Sequence, residues 1–303
     1  MDFSAWPSVT NPWSILLDEC RHIESAGWKG LWLGYHFMPS RGDTAGHWQE
    51  AWTSLAALGA LVPRVRLGTL VTGNTYRNPG VLAKQVAQVD VISGGRVTLG
   101  IGAGWQENEH VAYGVAFPPP AARLARLEEA LQVLRSLFDN PRTTFKGRHH
   151  QLQDAPLSPK PVQQHLPIMV GGGGERVTLR LVAQYADAWN STGAAPVIAH
   201  KSRVLQEHCE RVGRDPATIY RTGVLLVNVD QGGTGGGLGD AGGWEVVSST
   251  RDLVDALAPY AEAGVDEMII HFNPALPLER RKQLLTQFMQ DVAPPFRTPG
   301  GNR

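Results

Sequence analysis

Among the side chains able to exchange a proton near neutral pH, His36 has the most telling place, directly after the apolar run GLWLG at 30–34. A strand that ends in histidine delivers an imidazole to the edge of a sheet. Other stretches share that plan: LGTLV gives way to TGNTYR, RVTLGIG to AGWQENEH, and PIMVG to Gly172, Gly173 and Gly174, beginning at Gly171. Glycines without Cβ let main-chain N–H groups close on an anion, and a following helix adds partial positive charge, so the last stretch reads as a phosphate cradle. A plain flexible turn is the other reading. It is not a Walker A loop, for no Lys-Ser or Lys-Thr follows, and the next strand ends in Asn190 where a dinucleotide fold wants an acid. In GWQENEHVAYG, the residues Glu107, Glu109, His110 and Tyr113 offer proton donors or ligand contacts, with Glu107 the expected acid. Glutamates there also suit a solvated helix start. His271 ends a later apolar run, whereas His149 and His150 lie in a polar stretch and are expected to be solvated. With no HExxH, paired-cysteine or GxSxG pattern, neither a built-in metal site nor a nucleophile elbow is expected.

Positioning such residues requires strands that end together. Candidate strands lie at 2–6, 30–34, 65–71, 96–102, 167–171, 187–190, 220–229 and 266–272, mostly continuous apolar runs of the kind buried on both faces and paired in parallel. Amphipathic segments separate them, one opening on Asn11-Pro12 and closing on Gly27, another closing on Gly94 and Gly95. SAGWKGLWL and EAGVDEMII repeat one device, a helix stopped at Ala-Gly and a strand begun at once. This alternation predicts a (β/α)8 TIM barrel over 1–303, in one domain, ahead of an open doubly wound sheet. Residues 139–166 and 230–249 exceed ordinary loop length and read as insertions or lids after strands 4 and 7, the first with a small hairpin around Gly147. In a barrel the loops leaving the strand C-termini share one rim, where Trp6, Phe37, Trp105, Asn190 and His271 would wall a pocket.

Lys plus Arg and Asp plus Glu both number 28, so no net field draws the chain to nucleic acid or an anionic membrane. Cys20 and Cys209 sit in apolar-periodic segments as buried thiols suited to a reducing cytoplasm, and no apolar run spans a bilayer. A small-molecule substrate and a homodimer are the expected partners.

The run from LGTLVTGNTYRNPG through GRVTLGIGAGWQENEHVAYG and FPPPAARLARLEEALQVLRSLF to PIMVGGGGERVTLRLVAQYADAWN resembles the bacterial luciferase-like monooxygenase superfamily, and within it the oxidoreductases dependent on the deazaflavin coenzyme F420. The likeness covers about 28–192 strongly and the last two units more loosely. It implies the same barrel, a bulge at Leu70, Val71 and Thr72 with a non-prolyl cis peptide after Leu70 behind the coenzyme ring, and phosphate held by Ala103, Gly104, Gly172 and Gly173. It implies that His36 stands beside the hydride-accepting face. Two departures from sugar-phosphate dehydrogenases of this superfamily stand out: Tyr35 replaces an aspartate, and Trp105 a catalytic glutamate. An indole cannot donate that proton, which argues against sugar-phosphate chemistry. The expected activity is hydride transfer between F420 and a small organic substrate. An FMN-dependent monooxygenase activating dioxygen and a noncatalytic flavin-binding barrel are the alternatives; Arg148, Lys160 and Arg176 are candidates for the longer F420 tail.

Overall fold

The computed structural model describes residues 1–228, the backbone of Glu245–Val247, and 252–297. Parallel strands β1 (Asp2–Ala5), β2 (Gly30–Gly34), β3 (Arg66–Leu70), β4 (Val97–Gly102), β5 (Ile168–Gly171), β6 (Ala188–Asn190), β7 (Tyr220–Val227) and β8 (Glu267–Phe272) pair in sequence order. β8 returns to β1 with Asp2 opposite Glu267, and β7 joins β6 to β8, so the sheet closes on itself. The (β/α)8 barrel expected from the alternation is the observed fold.

Between the strands run α1 (Trp13–Ser25), α2 (Ala51–Leu61), α3 (Pro79–Ser93), α4 (Glu107–Ala112), α5 (Pro120–Asp139), α6 (Thr178–Tyr185), α7 (Ala195–Val212) and α8 (Leu253–Glu262), and α9 (Leu278–Gln287) follows β8. Their ends explain why the units repeat. Gly27 and Gly264 take φ of 85° and 76°, and the next residues, Trp28 and Val265, donate back to Ile23 and Tyr260. Glycine is the residue that turns left-handed at little steric cost, so both helices stop and the chain enters a strand directly. Gly94, at φ 71°, closes α3 in the same way. Asn11 does not cap α1; its N-cap is Pro12 and no side chain caps it.

The hairpin appears, as Arg142–Lys146 against Gln151–Pro156, between α5 and β5. Glu129 of α5 fastens its tip by accepting the backbone N–H groups of Arg148, His149 and His150. This overturns the solvated reading of His150, which is buried. The glycine-rich stretch 230–249 lies outside the described residues except for Glu245–Val247, which pairs with β7.

Two apolar layers fill the molecule. The larger lies between strands and helices; the smaller, inside the barrel, joins Trp32, Leu70, Met169, Ala188, Val224 and Ile269, with Trp6 and Val71 at its edge. The barrel base is closed by charge. The fully buried carboxylate of Glu267 accepts from the Trp32 indole at 3.0 Å and from the Arg66 guanidinium at 2.7 Å, beside a cavity of about 300 Å³. Both cysteines are buried and free, and burial pushes the Cys20 thiol up. Among the described residues no helix is long and apolar enough to cross a membrane.

Candidate active site

At the C-terminal rim, the loops after β2, β3 and β4 meet on one carboxylate. It belongs to Glu109, which is fully buried. Its Oε1 accepts the His36 Nδ1–H at 2.7 Å, its Oε2 accepts the Phe37 main-chain N–H at 2.7 Å, and the Tyr76 hydroxyl donates to Oε1. Burial, reinforced by Glu109, pushes the Tyr76 phenol well above its usual range, so this hydroxyl stays a donor. With Nδ1–H committed to Glu109, a neutral His36 carries its lone pair on Nε2. The His36 side chain is 21% exposed, enough for that nitrogen to meet a ligand. Around it stand the edges of two indoles, Trp105 at 5.2 Å and Trp48 at 6.3 Å between ring centres.

Glu107, the expected acid, lies instead on the exposed first turn of α4. Residues two apart on a helix point to opposite sides, so only one of the pair can face His36, and it is Glu109. His110 is also displaced from its expected place in a substrate pocket. It is fully buried, gives Nδ1–H to the Gln106 carbonyl at 2.7 Å and, in its neutral form, accepts the Thr75 hydroxyl at Nε2 at 2.7 Å. A Cβ on Gly104 would come within 2.9 Å of that same Thr75 oxygen, and Gly104 has φ 83°. His110 therefore braces the loop bearing Ala103 and Gly104. Tyr113 is exposed on the rim with its ring 5.4 Å from Phe37.

On the neighbouring arc, the Leu70–Val71 peptide is cis, where the resemblance puts it. The alternating glycines of GIGAG have a steric reason. A Cβ on Gly100 would fall 1.8 Å from the Thr69 carbonyl oxygen, and Cβ atoms on Gly102 and Gly171 would fall 2.9 and 2.8 Å from Val71 Cγ2. Three glycines on two adjacent strands thus make room for one bulge. Thr72, buried, accepts the Trp52 indole N–H at 3.1 Å behind it.

The phosphate-like corner is narrower than the glycine run suggests. Gly172 already donates to the Asn190 carbonyl at 3.0 Å, and Gly171 belongs to β5, which leaves Gly173 and Gly174 as the amides able to turn to an anion. α6 starts only at Thr178, so the helix end is not directly behind them. The cation comes from elsewhere: Lys201 of α7 donates to the Gly173 carbonyl at 2.9 Å. Sequence reasoning passed over Lys201; its signal was a lysine two turns into the helix after the sixth strand. The proposed tail residues do less. Lys160 is spent on the Leu137 and Asn140 carbonyls at the end of α5, and Arg148 and Arg176 are exposed.

Two further expected pocket residues lie on the inward side of their strands and are held by neighbouring strands. Asn190 donates its side-chain amide to Thr222 at 2.8 Å. His271 gives Nδ1–H to the Trp6 carbonyl at 2.8 Å with the rings 4.6 Å apart, and burial pushes its pKa down to about 4, so it is neutral at physiological pH.

The model of the luciferase-like monooxygenase family matches residues 1–232. The chain belongs to that family. An F420-dependent glucose-6-phosphate dehydrogenase of Kineococcus radiotolerans is 30% identical across 93% of each chain, and a Mycobacterium tuberculosis protein without assigned function is 35% identical across 73% of this chain and 68% of its own. Among solved structures, an F420-dependent secondary alcohol dehydrogenase in complex with an F420-acetone adduct shares the fold at TM-score 0.85 and 19% identity, covering 98% of this chain and 99% of its own. The monooxygenase RslO1 of Streptomyces bottropensis does so at 0.76 and 17%, covering 98% of this chain and the whole of its own.

Proposed function

We propose that this family member is an oxidoreductase passing a hydride between coenzyme F420 and a small organic substrate, with His36 moving the substrate's proton. The observation that carries the reading is the His36–Glu109–Tyr76 cluster beside the Val71 bulge and the Gly173–Lys201 corner. The residues fit such a coenzyme: Lys201 and the Gly173 and Gly174 amides suit a phosphate, while Val71 and its surrounding glycines give a flat apolar seat for a ring. When bound, the coenzyme supplies the hydride-accepting ring; the protein binds, orients and excludes water.

His36 is the proton-handling group because Nδ1 is anchored on Glu109 while the side chain stays partly exposed. Glu109 fixes the ring and favours the imidazolium that forms when Nε2 takes a proton, as a carboxylate does behind a catalytic histidine elsewhere. Tyr76 and the Phe37 amide hold Glu109 in turn. Trp105, Trp48 and Phe37 keep water from the reacting atoms. The reading includes a cytoplasmic location and a homodimer, the commonest closed assembly; Leu61, Val91 and Ile92, exposed on α2 and α3, are candidates for its apolar contact.

Fluorescence titration of the protein with F420 and with FMN tests the coenzyme. F420 binding tenfold or more tighter than FMN is expected, and Lys201→Ala should weaken it about 10-fold or more, the worth of a charge-assisted bond to phosphate. Preference for FMN, with dioxygen consumed when the flavin is reduced, would establish the monooxygenase instead.

A further inference from the structure

Resting on the proposed hydride transfer, we infer that the substrate is an uncharged alcohol, or the matching ketone, bearing a ring or other flat apolar group that lies on Trp105 and Tyr113, and that sugar phosphates are rejected. Among the described residues, the hydrogen-bond and ring partners of the His36 side chain are Glu109, Trp48 and Trp105, and the rings around Phe37 are those of Tyr35, Tyr76 and Tyr113. No cation is among them. A phosphate dianion entering here would meet the carboxylate of Glu109 with no partner supplied by these neighbours. The Arg77 guanidinium lies over the Tyr35 ring, with Nη2 paired to Glu50 at 3.0 Å and Nη1 buried, so its charge is already balanced by a carboxylate.

A polyol fares little better, since it needs a donor or acceptor for each hydroxyl. The Glu109 oxygens are filled by three donors, and Tyr76 spends its proton on them. Among the described residues, the polar atoms left beside the reacting centre are His36 Nε2 and two buried groups without a partner, the Trp48 indole N–H and the Tyr35 hydroxyl. They are too few for a polyol and suit a substrate with one oxygen. What the rim offers in quantity is aromatic surface: Trp105 is 55% and Tyr113 59% exposed, on either side of the loop that starts at His36. A ring covering them gains contact area and edge or stacking contacts that a hydrated sugar cannot.

In the oxidising direction the carbinol C–H bond breaks with its electron pair, which passes as hydride to oxidised F420; the hydroxyl proton moves to His36 Nε2, and the carbonyl forms. The test follows reduction of F420 by the full-length protein with 1-phenylethanol, propan-2-ol and glucose 6-phosphate, alongside F420 binding measured separately. We expect kcat/KM for 1-phenylethanol to exceed that for glucose 6-phosphate at least 100-fold. Trp105→Ala should reduce the 1-phenylethanol to propan-2-ol ratio of kcat/KM about tenfold, through KM. Faster turnover of glucose 6-phosphate, or an unmoved ratio in Trp105→Ala protein that binds F420 as wild type does, overturns the inference and leaves the hydride-transfer reading intact. Failure to bind F420, or binding with no turnover of any alcohol and no reduction of acetophenone by reduced F420, overturns both.

Discussion

Two fully buried carboxylates stand at opposite ends of the barrel, Glu109 at the mouth and Glu267 at the base. Each accepts from an aromatic donor, Tyr76 in one case and the Trp32 indole in the other. They differ in the third partner. Glu267 faces Arg66, where burial works against the guanidinium charge but Glu267 and Tyr220 outweigh it and hold the pKa above its already high value. A guanidinium held this way keeps its charge, so it can only hold. Glu109 faces an imidazole, His36, and a backbone amide in place of a fixed cation. The partner, more than the buried acid itself, separates a structural clamp from a site able to pass protons.

Substitutions should therefore split along that line. Glu109→Gln ought to lower kcat by about 10²- to 10⁴-fold, because the amide no longer supports an imidazolium, and to cost about 1–3 kcal/mol in unfolding, because its NH2 must face one of the three donors that the carboxylate satisfied. Wild-type turnover in that variant would break the comparison. Glu267→Ala should act on stability alone, costing roughly 3–5 kcal/mol in denaturant unfolding through an uncompensated Arg66, with turnover per folded molecule preserved. If stability is unchanged and kcat collapses, the base is not the inert end. The smallest effect concerns His271. Its folded pKa, about 4, lies below the ordinary value, so the unfolded chain binds the proton first as pH falls. Its contribution to stability is fully present above the unfolded value and is lost as pH drops from there towards about 4, at up to about 1.4 kcal/mol per pH unit. His271→Gln should flatten that slope in unfolding curves taken across this window, which sharpens the distinction between a titrating mouth and a titrating wall.

The barrel was legible because its signals are local: apolar runs for doubly covered strands, and Ala-Gly stops at Gly27 and Gly264 that fix where each strand begins. The hairpin around Gly147 was legible too. The site was legible by loop but not by atom. His36, Trp105 and the Leu70–Val71 bond lie at strand ends, where chain position alone puts them on the rim. The choice between Glu107 and Glu109 depended on the rotation of a single helical turn, which two acids one residue apart do not reveal in sequence. Tyr76 arrives from the neighbouring loop after β3 and Lys201 from the helix after β6, and His110 and Asn190 serve their own neighbours, since a buried polar side chain satisfies the nearest partner first.

The seating of Val71 among Gly100, Gly102 and Gly171 carries a consequence for how such an enzyme can change. Those three strand ends are keyed to one another so tightly that almost any added atom there unseats the floor of the pocket. Trp105 and Tyr113, by contrast, are more than half exposed and touch the site through single ring contacts with His36 and Phe37, where a change of side chain meets less resistance. If the proposed seating of coenzyme and substrate holds, choice of substrate can drift through these two aromatic side chains while the keyed strand ends stay as they are.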